Sequence, residues 1–300
     1  MSGHAWLLLA LLSFIWGSSF LFIELALAVM GPLTLVFFRV AIGAAALLAY
    51  LKLRRKSLPN SLSFWAAAAF MGLLNNAIPF SLIAYGQVFI TAGLASIINA
   101  NTAFFGVIVA ALFIAEERWQ WHRVLGVIVG VGGVITIIGP ASLVSFDVTS
   151  LGQLAVVVAT LSYACASVWG KLRLAGYAGD RIAAATLLCA SIIMLPMMFI
   201  FEGVPRFEIT PTLMAVFVGL GVLGTSFAYI LYFRILQLAG ASNLMLVTII
   251  VPLFAVLLDA VWLSQYLSMT EIVGFVIVAV GLSIMDGRLL GYLRKHIKTG

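Results

Sequence analysis

Charge is what this sequence has least of. Only 9% of its 300 residues are Asp, Glu, Lys or Arg and 64% are hydrophobic, whereas an ordinary soluble domain carries roughly 25% charged residues. With a mean hydropathy of +1.21, the chain reads as an integral membrane protein. Cysteine is almost missing too. Cys165 and Cys189 both fall inside apolar runs without CxxC or metal spacing, which excludes a disulfide framework and leaves them as small buried hydrophobes. His4, His122 and His296 lie at termini or in breaks, and the chain contains no GxxxxGK[ST], GxSxG or HExxH and no carboxylate-rich metal box. Nothing therefore points to an ATP-driven pump, an enzyme or a bound cofactor. The net charge of +6 does not indicate a nucleic-acid partner, because the basic residues sit in short breaks between apolar runs.

Those runs are what the sequence has in abundance. A helix needs about 20 apolar residues to cross a bilayer, and ten such runs are read at about 5–28, 33–53, 64–85, 89–114, 121–139, 151–171, 182–201, 212–236, 242–263 and 270–288. Ala26 and Ala28 resemble a signal-peptidase site, but the first run is longer than a signal core and no Lys or Arg precedes it. It is read as an uncleaved span. With the N-terminus inside, the inner breaks and tail hold Lys52, Arg54, Arg55, Lys56, Arg118, Arg123, Lys171, Arg173, Arg181, Arg234, Arg288, Arg294, Lys295 and Lys298. The outer breaks hold Arg206 alone. This asymmetry puts both termini in the cytoplasm. Trp6, Trp119 and Trp121 fall at span ends, where aromatic belts form.

The chain also repeats itself. "FMGLLNNAIPFSLIAYGQVFITAG" from Phe70 aligns with "FVGLGVLGTSFAYILYFRILQLAG" from Phe217, pairing Phe80 with Phe227 and Tyr85 with Tyr232 at an offset of 232 − 85 = 147. With one further residue, Gly126 and Gly133 match Gly274 and Gly281. Residues 1–140 and 141–290 are read as two five-helix halves, followed by a basic tail at 291–300. Five is odd, so the second half is expected upside down relative to the first, as in many secondary transporters.

Polar residues interrupt the spans at matching depths. Trp16, Asn75, Asn76, Asn99, Asn101, Tyr163, Thr225 and Ser226 all lie about half way along their spans, and Phe80 adjoins Asn75 and Asn76 across Pro79. One reading is a wet substrate cavity at the midplane; the other is hydrogen-bonding between helices, worth about 0.6 kcal/mol each. Trp16 and Tyr163 are 147 apart, so they are expected to face each other across a pseudo-twofold axis. They either hold a planar ring or an ammonium or simply pack. Glu24, Arg39 and Asp259 lie near the outer span ends, where one reading is a structural ion-pair network and the other is that Glu24 or Asp259 takes part in proton coupling or an extracellular gate. Pro79, Pro196 and Pro252 interrupt spans three, seven and nine, with Pro79 and Pro252 as candidate hinges. The glycines of spans five and ten suit a close helix seam within a monomer, with homodimerisation as the competing use.

Trp16-Gly17-Ser18-Ser19-Phe20, Arg39 in "FFRVAIGA", the fourth span "GLASIINANTAFFGVIVAALFIAEE" and the Gly-spaced fifth span resemble the ten-helix, EamA-type branch of the drug/metabolite transporter superfamily. The resemblance implies an all-α membrane bundle that exports small metabolites, including amino acids, by alternating access in a bacterial inner membrane. Within that branch the aromatic-rich chain looks most like an aromatic amino acid exporter. It departs from a strict duplicate after span four, where Glu116-Glu117 correspond to Ser264-Gln265. Competing readings are an exporter of other metabolites or drugs, a non-transporting receptor and an intramembrane enzyme. The expected partners are a small-molecule substrate and the lipid bilayer.

Overall fold

The computed structural model describes residues 2–114, 117, 120–139 and 148–287. Glu116, Arg118, Trp119 and the basic tail from Arg288 lie outside them. Among the described residues every regular element is helical. Nine helices among the described residues are long and apolar enough to cross a membrane: α1 Gly3–Leu27, α2 Pro32–Leu53, α3 Leu62–Gly86, α4 Ala92–Phe113, α5 Trp121–Ile138, α6 Val148–Arg173, α7 Gly179–Phe201, α8 Pro211–Ala239 and α10 Met269–Asp286. A tenth, α9 Val247–Leu263, is shorter and follows a single helical turn, Ala241–Leu244. Leu7, Ile200, Leu257 and Val276 stay exposed on the outside of the bundle, as lipid-facing side chains do.

Side chains cap the starts of several helices. Ser2, Ser61, Thr91 and Thr210 each accept a hydrogen bond from a first-turn N–H of the helix that follows, and Ser268 with Glu271 forms a reciprocal capping box. These bonds satisfy donors that hydrocarbon could not. The N-terminus of α2 begins at Gly31-Pro32 and has no such local cap. Glu202, from the end of α7, supplies one by accepting from Leu33 N and Thr34 N, both at 2.8 Å, and from Thr34 Oγ1 at 2.6 Å.

The principal contacts occur in matched sets. α1 packs on α9 and α8, while α6 packs on α4 and α3; α2 meets α8 as α7 meets α3; and α2–α7, α4–α9 and α5–α10 join helices five apart in order. Exchanging the first five helices for the second five reproduces this pattern. The glycines lie in the α5–α10 seam: a Cβ on Gly126 would stand 2.7 Å from the carbonyl oxygen of Gly281, and one on Gly133 2.9 Å from that of Gly274. Such approach distances require glycine. Gly17 likewise lets α1 close onto α9, where an added Cβ would lie 2.7 Å from the Cβ of Phe254.

Candidate functional site

Two helices widen at corresponding depths. In α3 the residues Leu73–Ala77 form a π-helical segment, and in α8 the residues Val218–Phe227 do the same. Pro79 explains the first, since it donates no N–H and its ring crowds the carbonyl four residues back. Here that carbonyl belongs to Asn75, and the wider turn accommodates it. The second segment has no proline but contains Gly219, Gly221 and Gly224. Its loosened carbonyls are taken by side chains: Thr225 Oγ1 donates to Leu220 O at 2.7 Å and Ser226 Oγ to Gly221 O at 3.2 Å.

A polar and aromatic cluster forms between these segments. Asn75 Nδ2 and Asn76 Nδ2 both donate to the hydroxyl of Tyr229, at 2.8 and 3.2 Å. Tyr232, one turn further along α8, lies with its ring centroid 6.0 Å from that of Trp16 on α1. Phe80 and Tyr163 meet edge to face at 6.4 Å. Trp16, Asn75, Tyr163, Tyr229 and Tyr232 all keep accessible surface although they stand midway along packed helices. They come from four helices of both halves, α1, α3, α6 and α8. Trp16 and Tyr163, expected to face each other, instead make their ring contacts with Tyr232 and Phe80 respectively.

Arg39 requires a correction. It was expected in an ion-pair network with Glu24 and Asp259, but among the described residues no ion pair joins it to either. Its guanidinium carbon sits 3.8 Å from the centroid of the Phe80 ring, and Nε donates to Thr225 Oγ1 at 3.2 Å. Depth counting placed Arg39 near the outer end, but its long side chain reaches into the central cluster, within electrostatic range of Tyr163 and Tyr229.

Glu24 and Asp259 have other partners. Glu24 accepts from Ala92 N at 3.0 Å and from Gln265 Nε2 at 2.6 Å, and Asp259 accepts from Gly93 N. Two carboxylates from α1 and α9 thus clasp the N-terminus of α4, whose aligned dipoles favour negative charge. At the other end of the bundle, Glu117 accepts from Lys171 Nζ and from Arg123 Nη1, both at 3.1 Å. Those two bonds, that of Lys171 first, hold the Glu117 carboxyl below the usual glutamate range. Asp180, in the first turn of α7, pairs with Lys56.

Not every candidate faces the cluster. Asn101 donates to Ile98 O at 2.6 Å and so closes the break at Ala100–Asn101 that splits α4 into Ala92–Asn99 and Thr102–Phe113. Its amide is committed to its own helix, contrary to the cavity reading. Ser226 is also committed, donating to Gly43 O at 2.8 Å and tying α8 to α2. Asn99 lies at the same break with a buried, unpartnered Oδ1. Pro252 is enclosed within the regular part of α9, ahead of a short π segment at Asp259–Leu263. Sequence reasoning missed Tyr229 and Gln265. A signal for Tyr229 existed, since Tyr229 and Tyr232 are three apart on one helix face just beyond a glycine-rich segment.

Among the described residues no group of three or more His, Cys, Asp or Glu could hold a metal ion. The model of the EamA-like transporter family matches residues 3–139 and again 150–285. The chain is 27% identical over 269 residues to the uncharacterized transporter YoaV of Bacillus subtilis, covering 89% of this chain and 91% of that protein. It is 25% identical over 221 residues to a probable terminal-alkyne amino-acid exporter of Streptantibioticus cattleyicolor, covering 73% of this chain and 72% of that protein. A solved crystal structure with 18% identity superposes with a TM-score of 0.68, covering 95% of this chain and 98% of the other. At that identity the likeness shows the fold.

Proposed function

The chain belongs to the EamA-like transporter family, and we propose that it exports small amphipathic metabolites, aromatic and other neutral amino acids foremost, across a bacterial inner membrane by alternating access. It is a multi-pass membrane transporter and not an enzyme. The observation that carries the finer reading is the central cluster, where midway along helices of both halves Asn75 and Asn76 donate to Tyr229, Trp16 meets Tyr232 and Phe80 meets Tyr163. The aromatic rings suit an apolar or planar side chain, and the amides and hydroxyls suit its polar end. A relative named as a probable amino-acid exporter supports the same class.

Alternating access is supported by the two sets of contacts at the bundle's ends, the Glu24–Gln265 clasp and the Lys171–Glu117 pair. Each is an interaction that opening of its end would break. The basic residues concentrated on one side favour cytoplasmic termini, with the clasp outside and the pair inside. The protein works as a monomer in this reading, since the α5–α10 glycine seam is used within one chain. Counterflow in proteoliposomes tests the substrate class: saturable exchange of labelled phenylalanine, competed by other neutral amino acids, supports it. A transporter that exchanges only other metabolites from a broad panel would refute the amino-acid reading.

A further inference from the structure

We propose that Arg39 is the carboxylate anchor of the substrate site, so that the transported class carries a carboxylate next to an apolar or aromatic group. This rests on the reading of the central cluster as the substrate site and narrows it.

A guanidinium in the membrane interior is expensive unless it is paired, and Arg39 is only 8% exposed. Its Nε donates to Thr225 Oγ1, and the Phe80 ring covers one of its faces. No carboxylate among the described residues pairs with it. Nε is engaged by Thr225, while among the described residues the two terminal nitrogens find no acceptor and yet are not sealed from accessible space. The edge that remains, Nη1 with Nη2, is the edge that receives two carboxylate oxygens side by side.

The surroundings fit an anion. Tyr229 already accepts from both Asn75 and Asn76, so its own O–H is left to donate. Tyr163 and Tyr229 both stand within electrostatic range of the guanidinium. The site thus offers a cation and phenolic donors with no built-in anion. The Trp16–Tyr232 ring pair stands beside it, with Tyr229 and Tyr232 one helical turn apart. Carboxylate and ring recognition would therefore be adjacent. The glutamates and aspartates of the bundle's ends cannot substitute, because Glu24, Asp259, Glu202 and Asp180 are occupied at helix N-termini.

The test measures apparent affinity from ligand-induced shifts in unfolding temperature of the full chain in detergent. The matched compounds are phenylalanine, phenylalaninamide, phenethylamine and 3-phenylpropionate. Phenylalanine is expected to bind about 10- to 100-fold more tightly than its amide, the range for a lost charge-assisted pair. Arg39→Gln is expected to abolish that preference, and Arg39→Lys to restore it in part. If Arg39→Gln does not fold, the wild-type comparison alone decides. Equal binding of phenylalanine and its amide by the wild type, or no binding by either carboxylate, overturns the proposal. Binding of 3-phenylpropionate without phenylalanine keeps Arg39 as the anchor and refutes the amino-acid reading. Binding of phenethylamine in preference to both carboxylates removes Arg39 and leaves transport of amphipathic compounds standing.

Discussion

Glu24 receives a hydrogen bond from Gln265 across 241 residues of chain, and the same relationship recurs at the other end of the bundle with the chemistry exchanged. Lys171 follows Glu24 by 171 − 24 = 147 residues, and Gln265 follows Glu117 by 265 − 117 = 148, the two offsets of the internal repeat. An acid with an amide closes one end, and a cation with an acid closes the other. The departure from strict duplication after span four is therefore compensated on the facing helix. Equal geometry with unequal chemistry gives two ends of similar shape that respond differently to pH.

That difference yields a pH prediction. The folded-state pKa of Glu117 is depressed, so its pair stabilises the fold above the ordinary glutamate range and loses that contribution as pH falls through the lowered value. Between pH 5.5 and 8 the Lys171–Glu117 contact is constant. Any pH dependence of transport in that window should arise at the other end. There Glu24 and Asp259 are close enough to repel, and among the described residues no Lys, Arg or His forms an ion pair with either. Glu24→Gln removes the charge that faces Asp259; it is expected to shift the pH profile of transport and leave substrate affinity unchanged, because eight residues separate Glu24 from Trp16 by about 12 Å along the helix. A variant whose profile keeps its wild-type position would assign Glu24 to structure alone.

Trp16→Ala should weaken phenylalanine binding by about 2- to 13-fold, corresponding to the ~0.5–1.5 kcal/mol of an aromatic pair, with folded yield intact. Tyr232→Ala should do the same, since the two rings meet. Titration calorimetry on both variants checks this. Wild-type affinity in either would exclude its ring from the site.

Lys171→Ala should barely affect stability, by less than about 1 kcal/mol, because the Lys171 side chain is 52% exposed and such pairs are screened. It should nevertheless increase the reactivity of cysteines introduced near the Lys171 end of α6, because a contact that holds this end has gone. Unchanged labelling rates would mean that the pair does not hold that end.

Gly126→Ala places a methyl 2.7 Å from the Gly281 carbonyl oxygen and should destabilise the bundle by about 1–3 kcal/mol through overpacking. Gly132→Ala on the same helix, where an added Cβ meets nothing within 4 Å, should be neutral or slightly stabilising. Detergent-unfolding curves of the pair separate a packed seam from a general glycine effect.

Much of the bundle was legible in the sequence. The apolar runs place the ten helices to within a few residues, except that α9 starts at Val247 after a separate turn. The glycines foretold the α5–α10 seam, whereas Pro79, read as a hinge, stands beside a widened turn of continuous helix. Counting residues from a span end gives the depth of a Cα and nothing about which way the side chain leaves the helix. That is why Asn101 and Ser226, at the correct depth, prove to be tied to backbone carbonyls. It is also why Arg39, at an apparently outer depth, belongs to the central cluster. The break in α4 carries neither proline nor glycine at Ala100–Asn101, so no local signal announced it.

Cross-linking each end in turn tests alternating access most directly. In a chain with Cys165 and Cys189 replaced by alanine, cysteines at positions 24 and 265 form one bridgeable pair and cysteines at 171 and 117 the other. Transport of labelled phenylalanine in proteoliposomes is measured before bridging with a short reducible reagent, after it, and after reduction. Alternating access requires that either bridge alone stop transport and that reduction restore it. Transport that continues at its full rate with one end bridged would contradict it.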